Sequence, residues 1–321
     1  VNRLRLTALS GAAVLALGLA ACGDDGGTGG GGSSDDGAQV SGTVKIDGSS
    51  TVAPLSEAAA EAFQGENGEV RVTVGTSGTG GGFEKFCAGE TDISDASRAI
   101  EEDEIAACEQ AGIAYQEFQV ANDGLSVVVS PENDWAQCLT VDQLKTIWDK
   151  GSNVSSWSQV DPSFPDEELV LNGPGTDSGT FDYFTEQING EEGRSRSDYN
   201  ATEDDNVIVQ GVAGEKGGLG YFGLSYLEQN SGELKGLEID GGDGCVAPST
   251  ETVQDGTYKP LSRPLFIYVS AASLKEPAVE AFVEYYLENA TTLAEQALFV
   301  PLTPEQQDEA ASELEALKSA T

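Results

Sequence analysis

The sequence contains no histidine. Serine and cysteine hydrolases of the usual kind need an imidazole as general base, so Ser-His-Asp and Cys-His mechanisms are excluded, as are the common histidine-containing zinc sites. Positive charge is scarce as well: 16 Lys and Arg stand against 55 Asp and Glu, for a formal net charge of −39. Nucleic acid and anionic membrane surfaces are poor partners for so acidic a chain, and the charge reads first as a means of staying soluble. Beyond the opening residues, no apolar run approaches the ~18 residues of a membrane-spanning helix. No GxxxxGKS/T loop and no GxGxxG in a strand-to-helix context occurs, so nucleotide binding is not indicated.

What is present begins with an address. Arg3 and Arg5 precede "LSGAAVLALGLAAC", a short apolar run ending in small residues. That layout predicts a secretory signal peptide over residues 1–21. Leu19-Ala20-Ala21-Cys22 resembles the bacterial lipobox, in which the cysteine carries lipid and becomes the mature N-terminus. "GDDGGTGGGGSSDDGAQ" follows, within a flexible linker predicted over residues 22–42. The expectation is a lipid-anchored protein on the outer face of the cell membrane, with enough chain left for two ordinary domains or one large one.

The body alternates β-rich runs with helical patterns, the mark of an α/β fold. "GTVKIDG" and "VRVTVGT" read as strands, and between them Val52, Leu55, Ala59 and Phe63 share one helical face. Val141, Leu144 and Trp148 repeat that spacing. "EPAVEAFVEYYLENATTLAEQALF" reads as one long amphipathic helix, and "TPEQQDEAASELEALKSA" as another behind a Thr cap. Two segments look like crossings between lobes: "YQEFQVANDGLSVVVSPEN", which joins two strand-like runs across Asn122-Asp123-Gly124, and "LSRPLFIYVS". Taken as paired hinge strands, they assign residues 43–123 plus 265–321 to lobe I and residues 124–264 to lobe II. Four cysteines beyond Cys22 allow three pairings. The lobe assignment favours Cys87–Cys108 and Cys138–Cys245.

Three helix starts share one chemistry. "DGSSTVAP" offers Ser49, Ser50 and Thr51; "GTSGTGGGFEKF" offers Ser77 and a run of glycines; "GPGTDSGTFDYF" offers Asp177, Ser178, Gly179 and Thr180. Each supplies hydroxyls, free N–H groups and the positive end of a helix dipole, the ingredients of an anion site. Singly, each is more ordinarily a helix cap. Three in one exported α/β chain point further.

Together with "DISDASRAI" and "GGLGYFGLSYL", these motifs run in the order seen in the phosphate-binding lipoproteins of Pst-type ABC uptake systems, which the chain resembles over nearly all of residues 43–300. The resemblance implies a two-lobed type II periplasmic-binding-protein fold, inorganic phosphate in the interlobe cleft, and handover to a membrane permease and its ATPase. It implies no metal, no organic cofactor and no catalysis, in a protein expected to be a monomer. Carried over by position, Ser50, Thr51 and Ser77 bind phosphate from lobe I, and Ser178, Gly179 and Thr180 from lobe II. One departure stands out. Many members carry an aspartate, acceptor of the phosphate proton, in the turn matching "SDASRAI", and an arginine four residues before the serine of the SGT motif. Here Arg98 occupies the first position and Pro174 the second. Arg98 is then the expected guanidinium ligand, with Asp177 its expected partner. Asp177, Asp95 and Asp47 are the candidate proton acceptors. Loss of the usual acceptor puts rejection of sulfate in question, so a receptor for another oxyanion, sulfate or molybdate, is the main alternative. A hydrolase with Ser178 as nucleophile lacks a base, and a surface protein that kept the fold but lost the ligand conflicts with the intact Ser, Gly and Arg positions.

Overall fold

The computed structural model describes residues 40–320. The expected signal peptide, Cys22 and most of the linker lie outside them. Among the described residues no helix is long and apolar enough to cross a membrane.

In chain order the elements are β1 (Gly42–Gly48), α1 (Ala53–Glu66), β2 (Val70–Gly75), α2 (Gly78–Cys87), β3 (Ile93–Ala96), α3 (Glu102–Ala111), β4 (Tyr115–Val129), β5 (Cys138–Thr140), α4 (Val141–Trp148), α5 (Trp157–Val160), β6 (Val170–Pro174) and α6 (Gly179–Phe184), which runs on as a π-turn to Asn189. There follow β7 (Asn200–Thr202), α7 (Asp205–Ala213), β8 (Gly218–Gly223), α8 (Leu224–Gln229), β9 (Lys235–Gly236), β10 (Glu238–Asp240), β11 (Cys245–Val246), α9 (Thr250–Gln254), β12 (Ser262–Ser270), α10 (Pro277–Glu288), α11 (Ala290–Gln296) and α12 (Pro304–Ala320). The main sheet has the order β2-β1-β3-β12-β4-β8-β6-β7, with β9 alongside β4.

Two hydrophobic cores lie along this sheet. Val44, Ile46, Leu55, Phe63, Ile267 and Phe282 belong to the first; Val127, Trp148, Phe184, Leu219 and Tyr221 belong to the second. A smaller cluster around Phe83, Phe86 and Tyr268 adjoins the Cys87–Cys108 disulfide. The second expected bridge, Cys138–Cys245, is also formed.

The crossing strands explain the two-lobed build. β4 is one unbroken strand of 15 residues, where the sequence pattern shows two runs. From Tyr115 to Gly124 it pairs antiparallel with β12, and from Leu125 to Val129 with β8. Extended backbone continues through Asn122-Asp123-Gly124 because β12 supplies the ladder partners there, overriding the low strand propensity of all three. The Asn122 N–H and C=O also exchange hydrogen bonds with Val300, which packs into the second core. One expectation fails: the long helix near the C-terminus is divided at Asn289. The Asn289 side chain donates to the Tyr285 carbonyl at 2.8 Å, and its backbone leaves helical geometry, the local competition by which asparagine ends helices.

Candidate functional site

β1 ends at Gly48 with φ of 146°, and a Cβ there would fall 2.1 Å from the Asp95 carbonyl oxygen. Glycine therefore lets the chain turn sharply into the Ser49-Ser50-Thr51 loop. The Asp95 carbonyl holds this loop from below by accepting the Ser49 N–H at 2.9 Å. No side chain caps α1, and none caps α2. Two helix starts on lobe I thus keep first-turn donors and the positive dipole end without the side-chain acceptor usual at such positions. From the other lobe comes α6, whose Ser178 hydroxyl accepts the Thr180 N–H at 3.2 Å. A Cβ on Gly179 would stand 3.1 Å from Thr51 Oγ1, so glycine is what allows α6 to approach the opposite lobe this closely.

These elements border a cavity of about 910 Å³. Ser50, Thr51, Ser77, Arg98 and Gly179 all line it, while Ser178 and Thr180 flank Gly179 in the chain. Not every expected donor is free. The Ser77 hydroxyl and backbone N–H both donate to Asp47 Oδ1, at 2.6 and 3.1 Å. Arg98 gives both terminal nitrogens to Glu104 at 2.8 Å and its Nε lies 3.2 Å from Glu101. The expected Asp177–Arg98 pair does not form: two carboxylates on Arg98's own lobe already take the guanidinium, and Asp177 is exposed.

None of the three candidate proton acceptors lines the cavity. Burial alone would raise the Asp47 pKa, but bonds from Lys85 and Ser77 hold it below its ordinary value. Asp95 is fully buried beneath the loop; among the described residues its carboxylate accepts only the Ser56 hydroxyl, and desolvation pushes it up to about 8. Asp47 orders Ser77 and Asp95 underlies the first loop.

The arginine of the site is one that sequence reasoning passed over. Arg263, on β12, donates from Nε to Asp123 on β4 at 3.1 Å and from a terminal nitrogen to Thr51 Oγ1 at 3.0 Å. Its guanidinium lies 3.7 Å over the Tyr183 ring of α6, and the Tyr183 hydroxyl donates to the Pro260 carbonyl at 2.8 Å. Asp123 and Arg263 face each other in the β4–β12 register, where the two lobes join. Burial raises the Asp123 pKa, and the adjacent guanidinium opposes that rise. One side chain therefore touches both lobes and the hinge at once. The available signal was an arginine and an aspartate set within two otherwise strand-like hinge segments.

Comparison with known proteins agrees with this architecture. The model of the PBP superfamily domain matches residues 33–290. The chain belongs to that superfamily. It is 45% identical over 296 residues to Protein SphX of Synechocystis, covering 91% of this chain and 84% of that one. It is 41% identical over 299 residues to the phosphate-binding protein PstS of Staphylococcus saprophyticus, covering 92% and 90%. Among solved structures, a possible phosphate binding protein from Planctomyces limnophilus superposes with a TM-score of 0.84 at 49% identity, covering 87% of this chain and 99% of that chain.

Proposed function

We propose that this protein is a receptor for inorganic phosphate, working outside the cytoplasmic membrane on a lipid tether at Cys22 and passing its ligand to the permease and ATPase of an ABC importer. The observation that carries the reading is Arg263. It reaches Thr51 in the loop before α1 and stacks on the helix that begins with Ser178-Gly179-Thr180, so its charge sits where helix starts from both lobes converge. A planar guanidinium half-engaged by Asp123 keeps donors for a tetrahedral anion and is held from rotating. Ser50, Thr51, Ser178, Gly179 and Thr180 would complete the shell, with Arg98 at its edge and Ser77 joining only if a ligand draws its donors away from Asp47. Neutral and charge-assisted hydrogen bonds in a dry cleft act at contact, so the surface charge, screened beyond about 8 Å, does not decide affinity.

A hydrolytic reading finds no support. The Ser178 oxygen serves as a helix cap, and the chain has no histidine to activate it. The test is calorimetric titration of the full chain with phosphate, after reversible unfolding to strip any anion already bound. One tight site is expected, and Arg263→Lys should weaken it about ten- to a hundredfold, the worth of one or two charged hydrogen bonds. A stripped, refolded chain that binds no phosphate would refute the reading.

A further inference from the structure

We infer that Asp47, which does not itself border the cleft, is a positioning residue for the anion: it ties the start of α2 to the end of β1, so that the donors of two helix starts are held in one frame. This rests on the phosphate reading above and names what fixes the geometry of that site.

Asp47 stands next to last in β1, two positions before Ser49. In the parallel β1–β2 register it lies opposite Gly75, itself two positions before Ser77. The two strands therefore deliver both helix starts side by side. Asp47 joins them. Its Oδ1 accepts the Ser77 hydroxyl at 2.6 Å and the Ser77 N–H at 3.1 Å, and its Oδ2 accepts Lys85 Nζ at 2.5 Å. Lys85 lies about two turns further along α2, so one carboxylate grips that helix at its N-cap and through a side chain from its other end. The local sequence is cut to fit this tie. A Cβ on Gly75 would fall 2.4 Å from Asp47 Oδ2, and a Cβ on Gly82 would fall 2.5 Å from the Gly48 Cα. Glycine at both positions lets the carboxylate reach past β2 and lets α2 lie directly on the end of β1.

The tie bears on the anion because Gly78, Thr79 and Gly80 line the cavity beside Ser49, Ser50 and Thr51. No side chain caps α2, so its first-turn N–H groups keep their donors, and the pull of a helix end fades within a single turn. Hydrogen bonds weaken steeply once distance or angle departs from the optimum, so the spacing of the two helix starts matters as much as their presence. A bare carboxylate this near the site would also repel an anion. Lys85 pairs with it and offsets that charge. Burial would raise the Asp47 pKa, but the bonds from Lys85 and Ser77 outweigh it, which keeps the acceptor ionised at neutral pH.

The test is inorganic phosphate titrated by calorimetry into the stripped full chain and into four variants: Asp47→Ala, Asp47→Asn, Ser77→Ala and the double change Asp47→Ala with Ser77→Ala. Asp47→Ala removes the acceptor and should weaken phosphate about ten- to a hundredfold. Asp47→Asn keeps an acceptor oxygen for Ser77, and the 40% exposed Lys85 side chain can turn into solvent, so affinity should return to within about threefold of wild type. Ser77→Ala should weaken binding on its own and cost nothing further beside Asp47→Ala, because both changes cut the same tie. Rescue and coupling are read in affinity, which a role confined to stability leaves unmoved; melting temperatures are measured alongside. Asp47→Ala that binds like wild type overturns the inference. Asp47→Asn no better than Asp47→Ala overturns it too, since the charge would then be the active feature. Additive Asp47 and Ser77 effects overturn it by placing Ser77 on the ligand itself. Wild-type chain that binds no phosphate overturns the phosphate reading, and this inference with it.

Discussion

Replacing Asp95 by Asn should remove a falling contribution from this protein's stability between about pH 4 and pH 8. Asp95 is fully buried; Oδ1 accepts the Ser56 hydroxyl at 2.8 Å, and Oδ2 has no partner. Desolvation pushes its carboxyl from 3.8 up to about 8, with the charges of Asp47 and Glu57 adding to the rise. Between those two values the native chain keeps the proton and the unfolded chain has lost it. Unfolding then releases a proton, so raising the pH favours the unfolded state. The stability is fully present below pH ~4 and falls by about 1.4 kcal/mol per pH unit, to a total of order 5 kcal/mol by pH 8. Asparagine does not titrate and removes this slope. Its amide also places an unpaired donor near the Oδ2 position, a cost of about 1–3 kcal/mol at every pH. Asp95→Asn should therefore be the less stable protein at pH 4.5 and the more stable one at pH 8. Guanidinium unfolding of both chains at half-unit steps from pH 4.5 to 8.5 measures the difference, in which other titrating groups cancel. A wild-type-minus-variant difference that stays flat across the range would refute the argument. The consequence reaches the site, because the Asp95 carbonyl anchors the Ser49 loop.

Other predictions follow from the same contacts. Gly179→Ala puts a Cβ 3.1 Å from Thr51 Oγ1, so lobe approach should be hindered and phosphate affinity should drop about tenfold by titration, with little change in melting temperature. Asp47 is held below its ordinary pKa, so its contribution to stability is present at neutral pH and lost as the pH falls through the lowered value; Asp47→Asn should flatten the acid limb of a thermal-melting profile below pH ~4. The Cys138–Cys245 bridge spans 107 residues, and the double Cys→Ser variant should lose about 4–5 kcal/mol in chemical unfolding if loop closure dominates. Stopped-flow association of phosphate should quicken with added salt, because the net charge of −39 repels the anion until it is screened.

Much of this molecule was written locally. Glycines and hydroxyls ahead of apolar-periodic helices marked three helix starts, and in the structure Ser50, Thr51, Ser77 and Gly179 share one cavity. Such features are short-range: a helix start needs only its own few residues to expose N–H groups. The absence of histidine likewise closed off whole mechanisms without any coordinates. The alternation of strands and helices carried the α/β class, and the two strand-like runs reappear as the paired strands β4 and β12.

Ion-pair partners were another matter. Arg98 sits in a recognisable motif, yet its fork is taken by Glu104, six residues on in the first turn of α3. Arg263 sits in no motif, yet it meets Asp123, 140 residues earlier, and Thr51, 212 residues earlier. Composition, periodicity and turn chemistry are properties of neighbouring residues and survive in a linear reading. Which charges become buried, and which of many carboxylates claims each scarce cation, depends on distances that exist only after β4 and β12 have paired and closed the two lobes on one another.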